Sequence, residues 1–247
     1  MAKIRADILL VEQGLCESRS QAQRLILAGK VRVGSDHVVR NASEKWPEET
    51  KLSVDEPLQY VSRGAGKLKP ALLKHKPDLA GCIGLDVGAS TGGFTDLMLQ
   101  QGAEKVYAVD VGTNQLHYKL RQDPRVICLE QTNARYLTSE QIPDRCQLMT
   151  CDVSFISVTK ILPAAAALLA PDAWAFILIK PQFEAERDEI QRGGVVKDPA
   201  IRQRVVDSIT GFADTQLGWK TIEVLPSTVL GPKGNQEFVA VFNTGHG

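Results

Sequence analysis

Ile83-Gly-Leu-Asp86-Val-Gly88-Ala-Ser90-Thr-Gly92-Gly93-Phe94 decides the fold. Its first five residues, Ile83–Val87, read as a strand. A turn rich in glycine follows, and Thr91–Gln101 then reads as a helix. The same alternation continues downstream. Strands read at Lys105–Val109, Val126–Leu129, Leu148–Cys151, Ala173–Ile179, Trp219–Leu225 and Phe238–Phe242. Helices read at Asn114–Arg121, Ser139–Ile142, Thr159–Leu169 and Pro199–Leu217. Strands alternating with helices predict an open, mostly parallel sheet covered on both faces. Such a sheet binds its ligands outside the carboxyl ends of the strands.

The N-terminal segment follows a different plan. Ala6–Gln13 reads as a short helix closed by Gly14, and Ser18 caps a second helix, Arg19–Ala28, closed by Gly29. Val31, Val33, Val38 and Val39 sit on a hairpin, and Leu52–Val54 and Gln59–Val61 add strands. This predicts a small α+β domain over residues 1–60. A basic linker and helix over 61–80 lead from it into a larger domain over 81–247. The linker stretch Arg63–Lys76 holds five Lys/Arg and no acidic residue.

Composition narrows the class. Hydrophobic residues make up 43% and charged residues 23%, which excludes general disorder and fibrous protein. The chain is neutral, with 29 basic and 29 acidic residues, but the charge is unevenly spread. Residues 1–76 hold fourteen Lys/Arg against nine Asp/Glu, a net +5 that the rest of the chain balances. A basic end on an acidic body predicts a reader of polyanions. The five cysteines are odd in number and form no C-x-x-C pair, so neither a disulfide framework nor a zinc site is expected. Ile8–Val11, flanked by Asp7 and Glu12, is no signal-peptide core. These features predict a cytoplasmic protein. Ile161–Ile179 approaches the length of a membrane span, but Pro163 and the turn signal Pro171-Asp172 divide it into a helix and a buried strand.

The glycine turn and the next strand end together describe a cofactor. Glycines admit close backbone approach, a helix N-terminus offers free N–H groups, and Asp110 ends the second strand where a carboxylate can take two ribose hydroxyls. The spacing is G-x-S-x-G-G rather than the dinucleotide G-x-G-x-x-G. Asp86 ahead of it would repel a pyrophosphate but attract the ammonium of S-adenosylmethionine. The expected cofactor is therefore S-adenosylmethionine, with Asp86, Gly88, Ser90, Gly92, Gly93, Phe94, Asp110, Asn133 and Asp152 as its binding residues. Asn133 follows the third strand, where the adenine edge is met.

Charged residues stand at the ends of the later strands. Asp152 follows the fourth strand, Lys180 the fifth, and Glu237 precedes the last, while Lys67 lies in the basic linker. Ser62-Arg63-Gly-Ala-Gly-Lys67-Leu68, Cys151-Asp152-Val-Ser-Phe155, Lys180-Pro-Gln-Phe-Glu184 and Gly234-Asn-Gln-Glu237, with the glycine loop, resemble the TlyA family. The segment from Arg5-Ala-Asp7 through Gly14, Ser18-Arg19 and Gly29-Lys-Val-Arg-Val33 resembles the S4-like RNA-binding domain found with that family. The family comprises ribosomal-RNA 2′-O-methyltransferases, long labelled haemolysins, with an FtsJ-like catalytic domain. The resemblance implies a Rossmann-like methyltransferase sheet with an antiparallel last strand. It also implies a Lys-Asp-Lys-Glu tetrad at Lys67, Asp152, Lys180 and Glu237, and favours cytidine in ribosomal RNA or a ribosomal subunit as target. Arg5, Arg19, Arg24, Lys30, Arg32, Arg63 and Lys69 are the expected RNA contacts. The usual aromatic before the first lysine is replaced here by Gly66.

A ribose 2′-OH is a poor nucleophile, and a desolvated lysine beside another lysine can serve as its base. That role falls to Lys180, with Lys67 as electrostatic helper, Asp152 orienting Lys180 and the donor, and Glu237 holding Lys67 or the hydroxyl. No metal is expected. Two other classes compete: an RNA-binding assembly factor without catalysis, which the intact tetrad disfavours, and a membrane-active haemolysin, for which no membrane segment is evident.

Overall fold

The computed structural model describes residues 3–34, 37–54, 60–62 and 64–245. The chain divides into two compact units, Met1–Gln59 and Tyr60–Gly247.

Unit one contains β1 (Lys3–Arg5), α1 (Ala6–Glu12), α2 (Arg19–Leu27), β2 (Val31–Val33), β3 (His37–Val38), β4 (Lys45–Pro47) and β5 (Leu52–Val54). β1 pairs with β4, a ribbon of three-residue strands too short to show a pattern in the sequence. β2 lies between β3 and β5, antiparallel to both. Ser18 caps α2 by accepting a hydrogen bond from Gln21 N–H. Leu9 and Leu10 of α1, Ile26 of α2, Val31 and Leu52 close the core. Beside it lies Asp7, fully buried yet charged. It accepts from Arg5 Nε at 2.9 Å, Arg19 Nη2 at 3.0 Å and Gln23 Nε2 at 3.0 Å. A buried carboxylate needs such partners.

Unit two contains α3 (Ala65–His75), β6 (Ile83–Val87), α4 (Gly93–Gln100), β7 (Lys105–Val109), α5 (Tyr118–Arg121), β8 (Val126–Leu129), β9 (Cys146–Cys151), α6 (Leu162–Ala166), β10 (Leu169–Ile179), α7 (Pro181–Glu184), α8 (Pro199–Leu217), β11 (Lys220–Pro226) and β12 (Phe238–Asn243). The seven strands lie in the order β11-β12-β10-β9-β6-β7-β8, and β12 alone runs against its neighbours. From β6 the chain builds outward through β7 to β8, then returns to the other side of β6 as β9. That reversal opens a crevice at the carboxyl ends of β6 and β9. Successive residues of β10 face opposite sides: Ala175, Ile177 and Ile179 join one core, Phe176 and Leu178 the other. α8 shows the full set of helix signals: an Asp198 cap on Ala200 N–H, Pro199 in the first turn, and Gly218 at φ +69 past the end.

Four expected elements form differently. Ser139–Ile142 is not helical, because Pro143 leaves no room for a second turn and Ile142 instead drops into the core. Asn114–Leu116 stays out of α5, with Asn114 at φ +54 and the amides of Asn114, Gln115 and Leu116 captured by the Glu130 carboxylate. The segment Thr159–Leu169 breaks into a 3₁₀ turn at Val158–Lys160 and the shorter α6, while Leu169 already pairs with Cys146. Tyr60 and Val61 form a bend rather than a strand, with Val61 N–H donating to Asp96; Gln59 lies outside the described residues. The apolar stretch 161–179 resolves into α6 and β10, with Asp172 turning at φ +59. Among the described residues, no helix is long and apolar enough to cross a membrane.

The arginine pair holds the Asp7 carboxyl well below the usual carboxylate range. Its contribution is therefore present above the unfolded-state value near pH 4 and lost as pH falls below it. Asp7→Ala should destabilise unit one by about 1.5–3 kcal/mol at neutral pH, the range for hydrogen bonds to a charged group. Hydrogen exchange at the α1 and α2 amides of the full chain measures this. The difference from wild type should shrink below pH 4, and equal exchange at pH 7 refutes it.

Candidate active site

The crevice at the strand reversal holds a cavity of about 520 Å³ lined by Gly88, Ser90, Asp110, Asn133 and Asp152, with apolar walls from Val109, Val111, Val153, Phe155, Ile156 and Ile161. Asp110 ends β7 and is held rigidly: its Oδ2 accepts from Ser90 N–H at 2.8 Å and its Oδ1 from Gly112 N–H at 2.7 Å. Each oxygen keeps a lone pair for a further donor. Asn133 Oδ1 accepts from the Arg135 amide, and no described residue partners its Nδ2.

The other four expected cofactor residues do not reach the cavity. Asp86 is fully buried on β6 and receives hydrogen bonds from Thr95 Oγ1 at 2.6 Å and Thr150 Oγ1 at 2.8 Å. Burial pushes its carboxyl up to about 6. It ties α4 to β9 and does not line the cavity. Gly92, Gly93 and Phe94 are likewise buried away from the cavity. Packing by itself already requires the glycines. A Cβ on Gly88, at φ +82, would collide with the Asp152 carbonyl. One on Gly92, at φ +90, would strike Leu116 and Leu120, and one on Gly93 would strike Ser62. The tight turn is thus required by the neighbouring protein, and the cavity forms beside it.

The tetrad residues form two ion pairs. Lys180 follows β10 and Glu237 precedes β12. The register Ile179↔Phe238 makes them the next pair across these antiparallel strands. Lys180 Nζ lies 2.5 Å from Asp152 Oδ1 and donates to Ser154 Oγ at 2.9 Å. The Asp152 contact is an ion pair by distance only, since Oδ1 is buried and receives no well-aligned hydrogen bond. Lys67, on the first turns of α3, reaches Glu237 Oε2 at 2.7 Å. Glu237 has no exposed surface, and its Oε1 accepts from Gln182 Nε2 at 3.0 Å. Gly231 makes room for it, because a Cβ there would overlap the carboxylate.

Sequence reasoning missed three contributors. Ser154 and Gln182 each hydrogen-bond a tetrad member, and their only signal was proximity to Asp152 and Lys180. Phe155, at φ +65 and 89% exposed, packs its ring 4.9 Å from Phe183 beside Lys180. A non-glycine residue in that conformation is strained and points to a site. The pair offers the aromatic face that Gly66 does not.

The expected RNA contacts lie where their elements put them. In unit one, Arg5 and Arg19 flank Asp7 with their guanidinium groups partly in solvent, Arg24 is exposed on α2, and Lys30 and Arg32 are half-buried before and on β2. In unit two, Lys69 on α3 sits 5.4 Å above the Tyr60 ring. Arg63 lies outside the described residues. Among the described residues, no group of three or more His, Cys, Asp or Glu side chains could hold a metal ion.

Residues 60–244 match the FtsJ-like methyltransferase family and residues 4–44 the S4 domain. Over 96% of this chain and 88% of the relative, the sequence is 45% identical to the 16S/23S rRNA (cytidine-2′-O)-methyltransferase TlyA of Mycobacterium tuberculosis. It is 42% identical to Hemolysin A of Brachyspira hyodysenteriae, covering 97% of this chain and 99% of that one. A solved structure of a Streptococcus thermophilus protein named as a hemolysin is 43% identical and superposes with a TM-score of 0.76, covering 99% of this chain and 90% of that one. With a parallel sheet closed by one antiparallel strand, an S4 domain ahead of it and relatives of this closeness along nearly the whole length, the chain belongs to the TlyA family of FtsJ-like methyltransferases.

Proposed function

We propose that this chain transfers a methyl group from S-adenosylmethionine to the 2′-hydroxyl of a cytidine in ribosomal RNA. One observation carries the reading: a lysine, Lys180, paired with a carboxylate at the rim of a nucleoside-sized cavity whose other wall holds a fixed carboxylate, Asp110. The relatives named as rRNA cytidine-2′-O-methyltransferases support the substrate class.

The cavity residues fit the cofactor. Asp110 has one lone pair left on each oxygen for two ribose hydroxyls, and Asn133 has an amide group for an adenine edge. Asp152, whose side chain is partly exposed and lines the same cavity, offers a further carboxylate acceptor. When bound, S-adenosylmethionine supplies an electrophilic methyl group on a sulfonium. The protein's task is to bring the 2′-oxygen in line and take its proton. Lys180, in its unprotonated form, accepts that proton as the new C–O bond forms. Asp152 and Ser154 fix the direction of its nitrogen. Lys67, held by Glu237, adds positive potential where the oxygen gains charge. Phe155 and Phe183 give the target base an apolar surface to lie on. Arg5, Arg19, Arg24, Lys30, Arg32, Arg63 and Lys69 would meet phosphates, which is the salt-sensitive part of RNA binding. Such an enzyme works with ribosomes, in the cytoplasm.

Four outcomes test the proposal. Asp110→Ala should weaken S-adenosylmethionine binding by about 1.5–3 kcal/mol, as expected for hydrogen bonds to a charged acceptor; unchanged affinity by calorimetry overturns the ribose assignment. Lys180→Met should bind cofactor and ribosomal subunits nearly as wild type while single-turnover methylation slows by roughly a hundredfold or more. Lys180→Arg should fail equally, because a guanidinium does not give up its proton; a Lys180→Arg enzyme with most of its activity means that the base lies elsewhere. Replacing Arg24 and Lys30 with alanine should weaken ribosomal-subunit binding and lower its salt slope by about 1 for each lost phosphate contact, without touching cofactor affinity. A salt slope equal to wild type would remove these two residues from the RNA surface.

A further inference from the structure

Residues 180–184 hold on to the rest of the site at every second position. Lys180 reaches Asp152 and Ser154, Gln182 reaches Glu237, and Glu184 reaches across to the loop after β9, where its Oε1 accepts a hydrogen bond from Val158 N–H at 2.8 Å. Asp152 opens that loop and Val158 closes it. One short segment therefore grips the loop at both ends, and Phe155 stands in the middle, at φ +65. A strained residue keeps such a conformation only while its surroundings hold it. The loop also forms one wall of the cofactor cavity through Val153, Ser154, Phe155 and Ile156. Lys180 and its partners account for the grip at the first end. At the second end the Val158 side chain is buried in the core and its amide is held by Glu184, a half-buried carboxylate that touches none of the reacting groups.

We propose that Glu184 is a positioning residue: by anchoring Val158 N–H it holds the 152–158 loop so that Asp152 and Phe155 meet the cofactor and the target nucleotide in working geometry. The inference rests on the methyltransferase reading, but its local effect is independent of substrate. Glu184 works as a hydrogen-bond acceptor, so an amide should replace it and a hydrocarbon should not.

The test compares Glu184→Gln with Glu184→Leu in the full chain, since leucine nearly preserves the volume in a half-buried place. Three quantities are read: hydrogen exchange at the Val158 amide, S-adenosylmethionine affinity by calorimetry, and the single-turnover rate on ribosomal subunits. Glu184→Leu should speed Val158 exchange and lower the rate about 10- to 100-fold, the scale expected when reacting groups are displaced by about 1 Å. Cofactor affinity should fall by a smaller factor than the rate, because the loop wall shifts while the Asp110 wall is untouched. Glu184→Gln should restore both exchange and rate. A Glu184→Leu enzyme with wild-type rate overturns the proposal. So does Glu184→Gln if it is as slow as Glu184→Leu, which would make the charge rather than the acceptor the working property. So does a loss confined to cofactor affinity. Wild-type protein that fails to methylate ribosomal subunits would instead count against the methyltransferase reading, while the exchange comparison would still judge the anchor.

Discussion

Glu237 carries a charge into a place with no solvent, and much of unit two is arranged around that fact. A buried carboxylate is tolerated only when a cation and hydrogen bonds replace its water. Lys67 supplies the cation and Gln182 the hydrogen bond, so α3 and α7 must both approach the start of β12. Gly231 must lack a side chain for the carboxylate to fit. β12 must run antiparallel between β10 and β11, because only then does Glu237, just ahead of it, stand opposite Lys180, just past β10. One buried pair thus couples a helix from the start of the domain, a short helix from its middle and the last strand. Removing either partner would strand the other charge.

The second lysine–carboxylate pair obeys a different constraint. Lys180 and Asp152 sit at the cavity rim, where the buried Oδ1 of Asp152 has an ion-pair partner but no well-directed hydrogen bond. The two pairs differ in how they are satisfied: Glu237 has both an ion pair and a hydrogen bond, while Asp152 Oδ1 has the ion pair alone. Lys180 of one pair and Glu237 of the other stand opposite each other across the β10–β12 register. A like difference occurs around the glycine loop. Asp86 is spent on Thr95 and Thr150, inside the sheet, whereas Asp110 is gripped by backbone amides and keeps its outer lone pairs.

In unit one the corresponding device is Asp7, which draws Arg5 and Arg19 together at the start of α1. A single buried carboxylate sets two guanidinium groups at a fixed spacing and leaves both partly in solvent. Preset arginines lose less entropy on meeting phosphates.

Much of this was legible in the sequence. Ile83–Val87, Lys105–Val109, Val126–Leu129 and Pro199–Leu217 form with the bounds their patterns predict, because continuous apolar runs and strong caps are local signals. The strand-end positions of Asp110, Asp152 and Lys180 were local too, and they lie along the edge of the sheet where the cavity forms. What the sequence could not decide was where each polar group spends its hydrogen bonds. Asp86 and Asp110 each adjoin the end of a strand, yet the first is sealed by threonines from two other elements and only the second faces the cavity. Glu130 takes the amides that would have extended α5, and Glu184 finds Val158 twenty-six residues away. Gly88, Gly92 and Gly93 read as a ligand loop, but the bodies that exclude their side chains are Asp152, Leu116, Leu120 and Ser62. Element type follows from neighbours in the chain, which share one backbone. Partnership between charges depends on distance in space, and here only the folded sheet brings the partners within hydrogen-bonding reach.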